Sequence, residues 1–182
     1  DEMIEVTNSA SDKIMVLPQA AEKLHGKQIY DKKLEQRFKK GFNLVFTGSI
    51  TPAQSFETII DAAKEIKSEG INDINWIIVG DGMARRQVEK DVERAGLGGI
   101  FFFEGQKPIG DMPKYAAVAD GLIGCLAKSD LLEATIPAKV MSYIASGKPI
   151  VLAMDGEVQT LINKTIRGGY VSKTEDGLAL AN

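Results

Sequence analysis

The sequence predicts an α/β protein: a parallel sheet of about six strands with helices on both faces. Three observations carry this. From residue 43 onward, short apolar runs alternate with amphipathic stretches at near-regular spacing, the pattern of βαβ units. Polar residues rarely alternate with apolar ones within the runs, as in Ile150-Val-Leu-Ala153, which suits strands buried on both sides. Three of the runs end in glycine, at Gly48, Gly80 and Gly105, where tight strand-to-helix turns are needed.

Residues 1–12 are polar and aperiodic and read as a linker or frayed start. The run 13–17 reads as a strand stopped by Pro18, and 20–30 as a connection. Residues 31–40 are charge-rich, with Leu34 and Phe38 four apart, the spacing of a short surface helix. Strand 43–47 leads to a helix over 52–68, whose Phe56, Ile59, Ile60, Ala63 and Ile66 share one face before Gly70. Strand 75–79 precedes Gly80-Asp-Gly82 and a charged helix over 83–95, stopped by Gly96. Strand 100–103 ends at Glu104-Gly105, and a short helix over 112–118 has Pro113 near its start. A strand over 121–127 is followed by a loop over 128–136.

The next helix has both ends marked. Pro137 suits the first helical position, and Val140, Met141, Ile144 and Ala145 give one apolar face. Gly147 suits a left-handed stop, and Pro149 blocks continuation. Strand 150–153, a helix over 156–163, a strand over 169–171 and a helix from Thr174 complete the series. That last helix stops where the chain does, which reads as a domain cut from a longer protein before its final helix closes.

At 182 residues, 44% hydrophobic and 26% charged, the chain has enough apolar material for one packed domain. Its net charge of −3 and lack of a dense basic run argue against a nucleic-acid partner. The one cysteine, Cys125, lies in an apolar run and reads as a core residue; no disulfide framework exists, which fits a reducing compartment. With one histidine, His25, placed outside the strand-end rim, no His/Cys metal cluster is expected. No apolar run reaches membrane-spanning length.

Ligands of open parallel sheets bind at the carboxyl ends of the strands. Three glycine turns on that rim favour a nucleotide. The helix start at Pro137 adds an anion site: the N–H groups of Ala138, Lys139 and Val140, the helix dipole and the Lys139 charge. The same stretch also reads as an ordinary crossover helix with a solvated lysine. No Gly-x-Gly-x-x-Gly, no Gly-Lys-Ser/Thr, no Gly-x-Ser-x-Gly and no Asp-x-Asp pair occurs. A bound diphosphate would therefore be balanced by protein charge from helix ends, Lys139 and Lys107.

The chain resembles the C-terminal, donor-binding half of a GT-B glycosyltransferase of the retaining type grouped as family 4. The carriers are Val16-Leu-Pro18, Phe46-Thr-Gly-Ser49, Ile60-Asp-Ala-Ala63, Ile77-Ile-Val-Gly-Asp-Gly82, Phe102-Phe-Glu-Gly105, Tyr115-Ala-Ala-Val-Ala-Asp120, Pro137-x-Lys139, Tyr143-Ile-Ala-Ser-Gly-Lys-Pro-Ile150 and Gly156-Glu157. Pro52-Ala-Gln54 and Ile136-Pro-Ala-Lys139 are similar to transferases of capsule or O-antigen assembly that use N-acetylated amino sugars. The resemblance makes 13–182 a Rossmann-like donor-binding domain, with the N-terminal acceptor half absent.

The resemblance also implies a site. Gly80, Asp81, Gln106, Lys107 and Met112 would meet the base. Gly48, Ser49, Gln54, Ala138 and Lys139 would meet the diphosphate, and Ser142 the ribose. Catalytic residues are not identified; Glu133 is the candidate donor-sugar contact. The pattern departs from the family at four anchors. Ser49 and Gln54 stand where an arginine and a lysine are usual, and Ala134 and Ser142 where two glutamates are usual. Tyr143 also reads as core packing, and Gln54 as a surface residue at a helix start.

The function implied is metal-independent, retaining transfer of a sugar from a nucleotide diphosphate, with a UDP-N-acetyl amino sugar as donor. No cofactor is expected. The partners would be the donor, the missing N-terminal domain and a glycan or lipid-linked acceptor. The location would be cytoplasmic, peripheral at the inner membrane face through the absent half. The alternatives are a nucleotide-sugar epimerase of the same fold and a non-catalytic nucleotide-binding domain, the latter favoured by the four departures.

Overall fold

The computed structural model describes residues 13, 15 and 19–182. The linker expected over 1–12 lies outside that set, as do residues 14, 16 and 17 of the strand expected over 13–17. The described strands are β1 (Phe42–Thr47), β2 (Ile74–Val79), β3 (Phe101–Gly105), β4 (Gly121–Cys125), β5 (Ile150–Ala153) and β6 (Gly169–Ser172). The helices are α1 (Lys32–Arg37), α2 (Phe56–Ser68), α3 (Arg85–Arg94), α4 (Met112–Val118), α5 (Asp130–Glu133), α6 (Ala138–Ser146), α7 (Glu157–Thr160) and α8 (Gly177–Ala181).

All strand pairs are parallel, in the order β3-β2-β1-β4-β5-β6. The chain builds outward from β1 to β3, then returns to place β4 on the other side of β1. The switch in direction falls between β1 and β4, where such sheets open a crevice.

Little polar alternation appears within strands because both faces are covered. On one face Leu44, Phe46, Trp76, Ile78 and Phe101 pack with Phe56, Ile59, Ile60, Ala63, Val88, Val92 and Leu180, which brings in α2, α3 and α8. On the other, Val45, Ile77, Val79 and Leu122 pack with Phe38, Tyr115, Val140, Tyr143, Val158 and Ile162. Trp76 is buried and its ring stacks on Phe101 at 5.5 Å between centroids.

Several boundaries differ from expectation, each for a local reason. The helix expected over 52–68 is broken into a 3-10 turn, Pro52–Gln54, and α2. Ser55 between them is left-handed at φ 40°. The Ala127 N–H donates to Ala53 O and holds that turn against the end of β4. The same bond takes Ala127 out of the strand expected over 121–127. The loop expected over 128–136 contains α5, one turn too short to show a period. The helix expected over 83–95 starts at Arg85, since the Ala84 and Arg85 N–H groups are taken by Ile50 O and Gly82 O.

Pro137 is the residue before α6, in extended backbone, and not its first helical residue. The helix expected over 156–163 runs on through a wide π turn, Leu161–Ile166. The connection over 20–30 holds a 3-10 turn, Lys23–Gly26, packed on α4 and α6. Among the described residues no helix is long and apolar enough to cross a membrane.

Candidate functional site

The site grows from the turns that follow β1, β2 and β3. These turns are hydrogen-bonded to one another. Gly48 N–H donates to Val79 O at 3.0 Å, Ile50 N–H to Asp81 O at 2.9 Å, and Ala84 N–H to Ile50 O at 3.1 Å. Gly80 N–H donates to Gly105 O at 2.9 Å. Such lacing needs close backbone approach. At Gly80, with φ 147°, a Cβ would lie 1.9 Å from Gly48 O, so only glycine fits.

A cavity of about 230 Å³ opens on this rim, lined by Gly48, Ser49, Val79, Gly80, Asp81, Gln106, Lys107, Ile109 and Met112. It contains all five residues expected at the base and two of those expected at the diphosphate. A larger groove of about 350 Å³ lies between α2 and α3. Four of its five charged residues pair, Lys64 with Asp61 at 2.8 Å and Arg94 with Asp91 at 3.0 Å, and it lies away from the strand ends.

Asp81 is already engaged. Its carboxylate accepts from Gly82 N–H at 2.7 Å and from Arg85 Nη1 at 3.1 Å. The Gly82 bond, then Arg85, hold its carboxyl below the usual range.

The remaining diphosphate candidates meet across 85 residues of sequence. Lys139 Nζ reaches back from α6 and donates to Gln54 Oε1. It sits 3.9 Å from the centroid of the Phe46 ring, within cation–π reach when the amine carries its charge. A Cβ on Gly48 would be 3.3 Å from it. Among the described residues no carboxylate lies within 4 Å of this amine. Burial pushes its ammonium down to about 7. At the start of α6 the Val140 N–H is taken by Pro137 O at 2.9 Å, so Ala138 and Lys139 supply the donors there and Val140, expected as a third, does not.

Ser142 lies one turn further along α6, its Oγ 3.2 Å from Ala138 O. It lines a second, narrower cavity of about 20 Å³ with His25, Thr47, Met112, Pro113, Ala116, Tyr143 and Ser146. Met112 borders both cavities. His25, expected outside the rim, therefore stands beside the end of β1. The 3-10 turn at 23–26 brings it there, and that turn shows no sequence period.

Tyr143 is buried in the core as expected, but its hydroxyl also works. It accepts from Thr47 N–H at 2.9 Å and lies 3.2 Å from Ile123 O. The β1–β4 ladder registers only Leu44 with Gly121 and Val45 with Leu122. Tyr143 takes over where the strands diverge. Burial pushes its phenol up to about 12.

Glu133, the candidate donor-sugar contact, ends α5, with its backbone packed against Gly156 in the turn after β5. It lines neither cavity.

Glu104, at the end of β3, is a buried acid whose partners do not follow from sequence spacing. Its side chain is 5% exposed and pairs with Arg37 Nη1 at 2.6 Å. The other oxygen accepts from Tyr115 Oη at 3.0 Å. Burial, then Glu104, drive the Tyr115 phenol well above its ordinary value. A lone acid closing the aromatic run Phe101-Phe-Phe103 was the available signal.

Residues 41–182 match the family described as Glycosyl transferases group 1, and the chain belongs to it. No curated protein matches the chain at a significant level. A glycosyltransferase from Rickettsia africae superposes with a TM-score of 0.77 at 16% identity, covering 99% of this chain and 48% of that one. WaaG, a glycosyltransferase involved in lipopolysaccharide biosynthesis, gives 0.75 at 16% identity, covering 100% and 51%. Anabaena Alr3699/HepE, in complex with UDP and glucose, gives 0.72 at 19% identity, covering 89% and 44%. The chain thus spans about half the length of these structures. At such identities the likeness concerns the fold, which is the Rossmann-like domain of GT-B glycosyltransferases.

Proposed function

We propose that this chain is the donor-binding half of a retaining, family 4-type glycosyltransferase, using a UDP-linked N-acetyl amino sugar. The acceptor would be a growing capsule or O-antigen glycan, or its lipid carrier. It would be met through a further domain at the inner membrane face. One observation carries the reading: the glycine-laced rim and the start of α6 converge, with Lys139 and Gln54 joined between them.

The chemistry follows from charge. As the bond to the sugar breaks, negative charge grows on the departing diphosphate. Fixed donors aimed at that point lower the barrier without reorganising. The Ala138 and Lys139 N–H groups, the Lys139 amine and the Gln54 amide supply such donors, so no metal is needed in this scheme. A base would sit against Gln106, Lys107 and Met112, with ribose toward Ser142. The cavity of about 230 Å³ is smaller than the roughly 300–1,000 Å³ of whole-ligand sites. It suits the nucleoside end, leaving the sugar outside near an acceptor. The complex of Anabaena Alr3699/HepE with UDP and glucose supports UDP as the first nucleotide to try.

Calorimetric titration with UDP, GDP and UDP-N-acetylglucosamine tests this. UDP and the UDP sugar are expected to bind more tightly than GDP, and the chain alone to show no transfer. Failure of all three to bind would remove the donor-site reading. The epimerase alternative gains nothing from His25, whose cavity of about 20 Å³ has room for about one water.

A further inference from the structure

The Lys139–Gln54 pair is the most unusual feature of the rim. A lysine buried against an aromatic face normally has a carboxylate partner. Here its partner is a neutral amide. The atom of Gln54 that faces it is Oε1, which accepts from Nζ, a bond that the neutral amine and the ammonium can both donate. The two N–H bonds of Gln54 Nε2 then point away from Lys139.

Other groups facing the amine carry no compensating charge. From β1 come the Phe46 ring and Gly48. Gly124 on β4 lies against the lysine stem. The Cys125 thiol, also on β4, is pushed up to about 12 by burial and stays neutral. On α6 itself Tyr143 is turned to Thr47, and its phenol is likewise neutral. The rim carboxylates are occupied elsewhere: Asp81 by Gly82 and Arg85, and Asp155 by Gln159 and Thr174.

We propose that Lys139 and Gln54 form a proton-coupled receptor for the diphosphate: the empty site holds the amine largely without its extra proton, and arrival of the anion draws one proton from solvent onto Nζ. This rests on the donor-site reading and adds a regulatory property to it. The geometry gives the reason. An amine enclosed against a ring and an amide lacks the negative charge that would hold its proton. A phosphate group supplies that charge. Gln54 acts as a positioning residue. Its carbonyl fixes the amine at the mouth while its amide N–H groups face the anion. Burial depressing the ammonium to about 7 places the transition in an accessible range. The affinity gained from the charged amine is fully present below that value. It is lost as pH rises toward the higher value of the bound state.

The test is calorimetric titration of the chain with UDP, and with uridine as control, between pH 6 and 9. Buffers of differing ionisation enthalpy report protons taken up. A phosphate's own second ionisation, near about 6, is complete above pH 7. Expected for UDP is uptake approaching one proton at pH 8 and falling toward pH 7, below which the nucleotide's own phosphate also exchanges protons. Affinity should fall by up to about tenfold per pH unit above 7. Uridine should show neither effect. Lys139→Met should bind UDP more weakly and without proton uptake. Gln54→Glu, which pairs the amine in advance, should also abolish uptake. UDP binding with buffer-independent heats across the whole range would overturn the proposal and leave the donor site standing. Uptake persisting in Lys139→Met would overturn it too. Absence of UDP binding at every pH would overturn both.

Discussion

Lys139 and Tyr143 lie four residues apart on α6 and both reach the end of β1, yet their contributions to stability differ in kind. Tyr143 satisfies a backbone donor that the sheet cannot. Replacing it with phenylalanine leaves the part-buried Thr47 N–H without that partner, at a cost of about 1 kcal/mol. Urea unfolding of Tyr143→Phe checks this, and an unchanged midpoint would show the bond to be dispensable. Lys139 works the other way. Burial lowers its ammonium to about 7 from 10.5, so above pH 7 the native state binds fewer protons than the unfolded chain. Stability from this group is therefore lowest below pH 7 and rises as pH increases. Cys125, raised to about 12 from 9.0 by burial, adds an opposite slope above pH 9. Unfolding free energy should climb between pH 7 and 9 and then level. Lys139→Met should flatten the climb, and a wild-type profile that falls over that interval would contradict the assignment.

Among elements, the two glycines that bound the site differ in what they tolerate. Gly147 ends α6 at φ 69° with nothing near its missing Cβ. Gly147→Ala should cost only the left-handed penalty, about 1–2 kcal/mol. Gly80 has the backbone of Gly48 in the way. Gly80→Ala should cost more than about 2 kcal/mol and weaken UDP binding as well. Thermal melts with nucleotide titration separate the two. Helix α6 was legible in the sequence because its apolar period and its glycine stop coincide. The β1–β3 turns were legible for a similar reason, since glycine marks a strand end whatever packs beyond it. The break at Ser55 was not: a hydrogen bond from Ala127, seventy-odd residues away, decides it, and local propensity carries no trace of that. Nor was the Glu104–Arg37–Tyr115 cluster, whose members lie on three separate elements.

For the molecule as a whole, alternation predicted the layers but not the order of the strands. The central runs β1, β2, β4 and β5 are apolar on both faces, so little in their own residues chooses their neighbours. The return of β4 to the flank of β1 creates the crevice, and it brings Lys139 to Gln54. Neither side chain's reach could be read from spacing. His25 was misplaced for the same reason. The two apolar layers share the sheet but have separate helices, while the loops at its carboxyl edge are tied to one another by their own backbones. Gly48, Ile50, Gly80 and Ala84 consequently depend on a single web for protection. Opening any one turn frays the rest, so their amide hydrogens should trade for deuterium in step, as one cooperative unit.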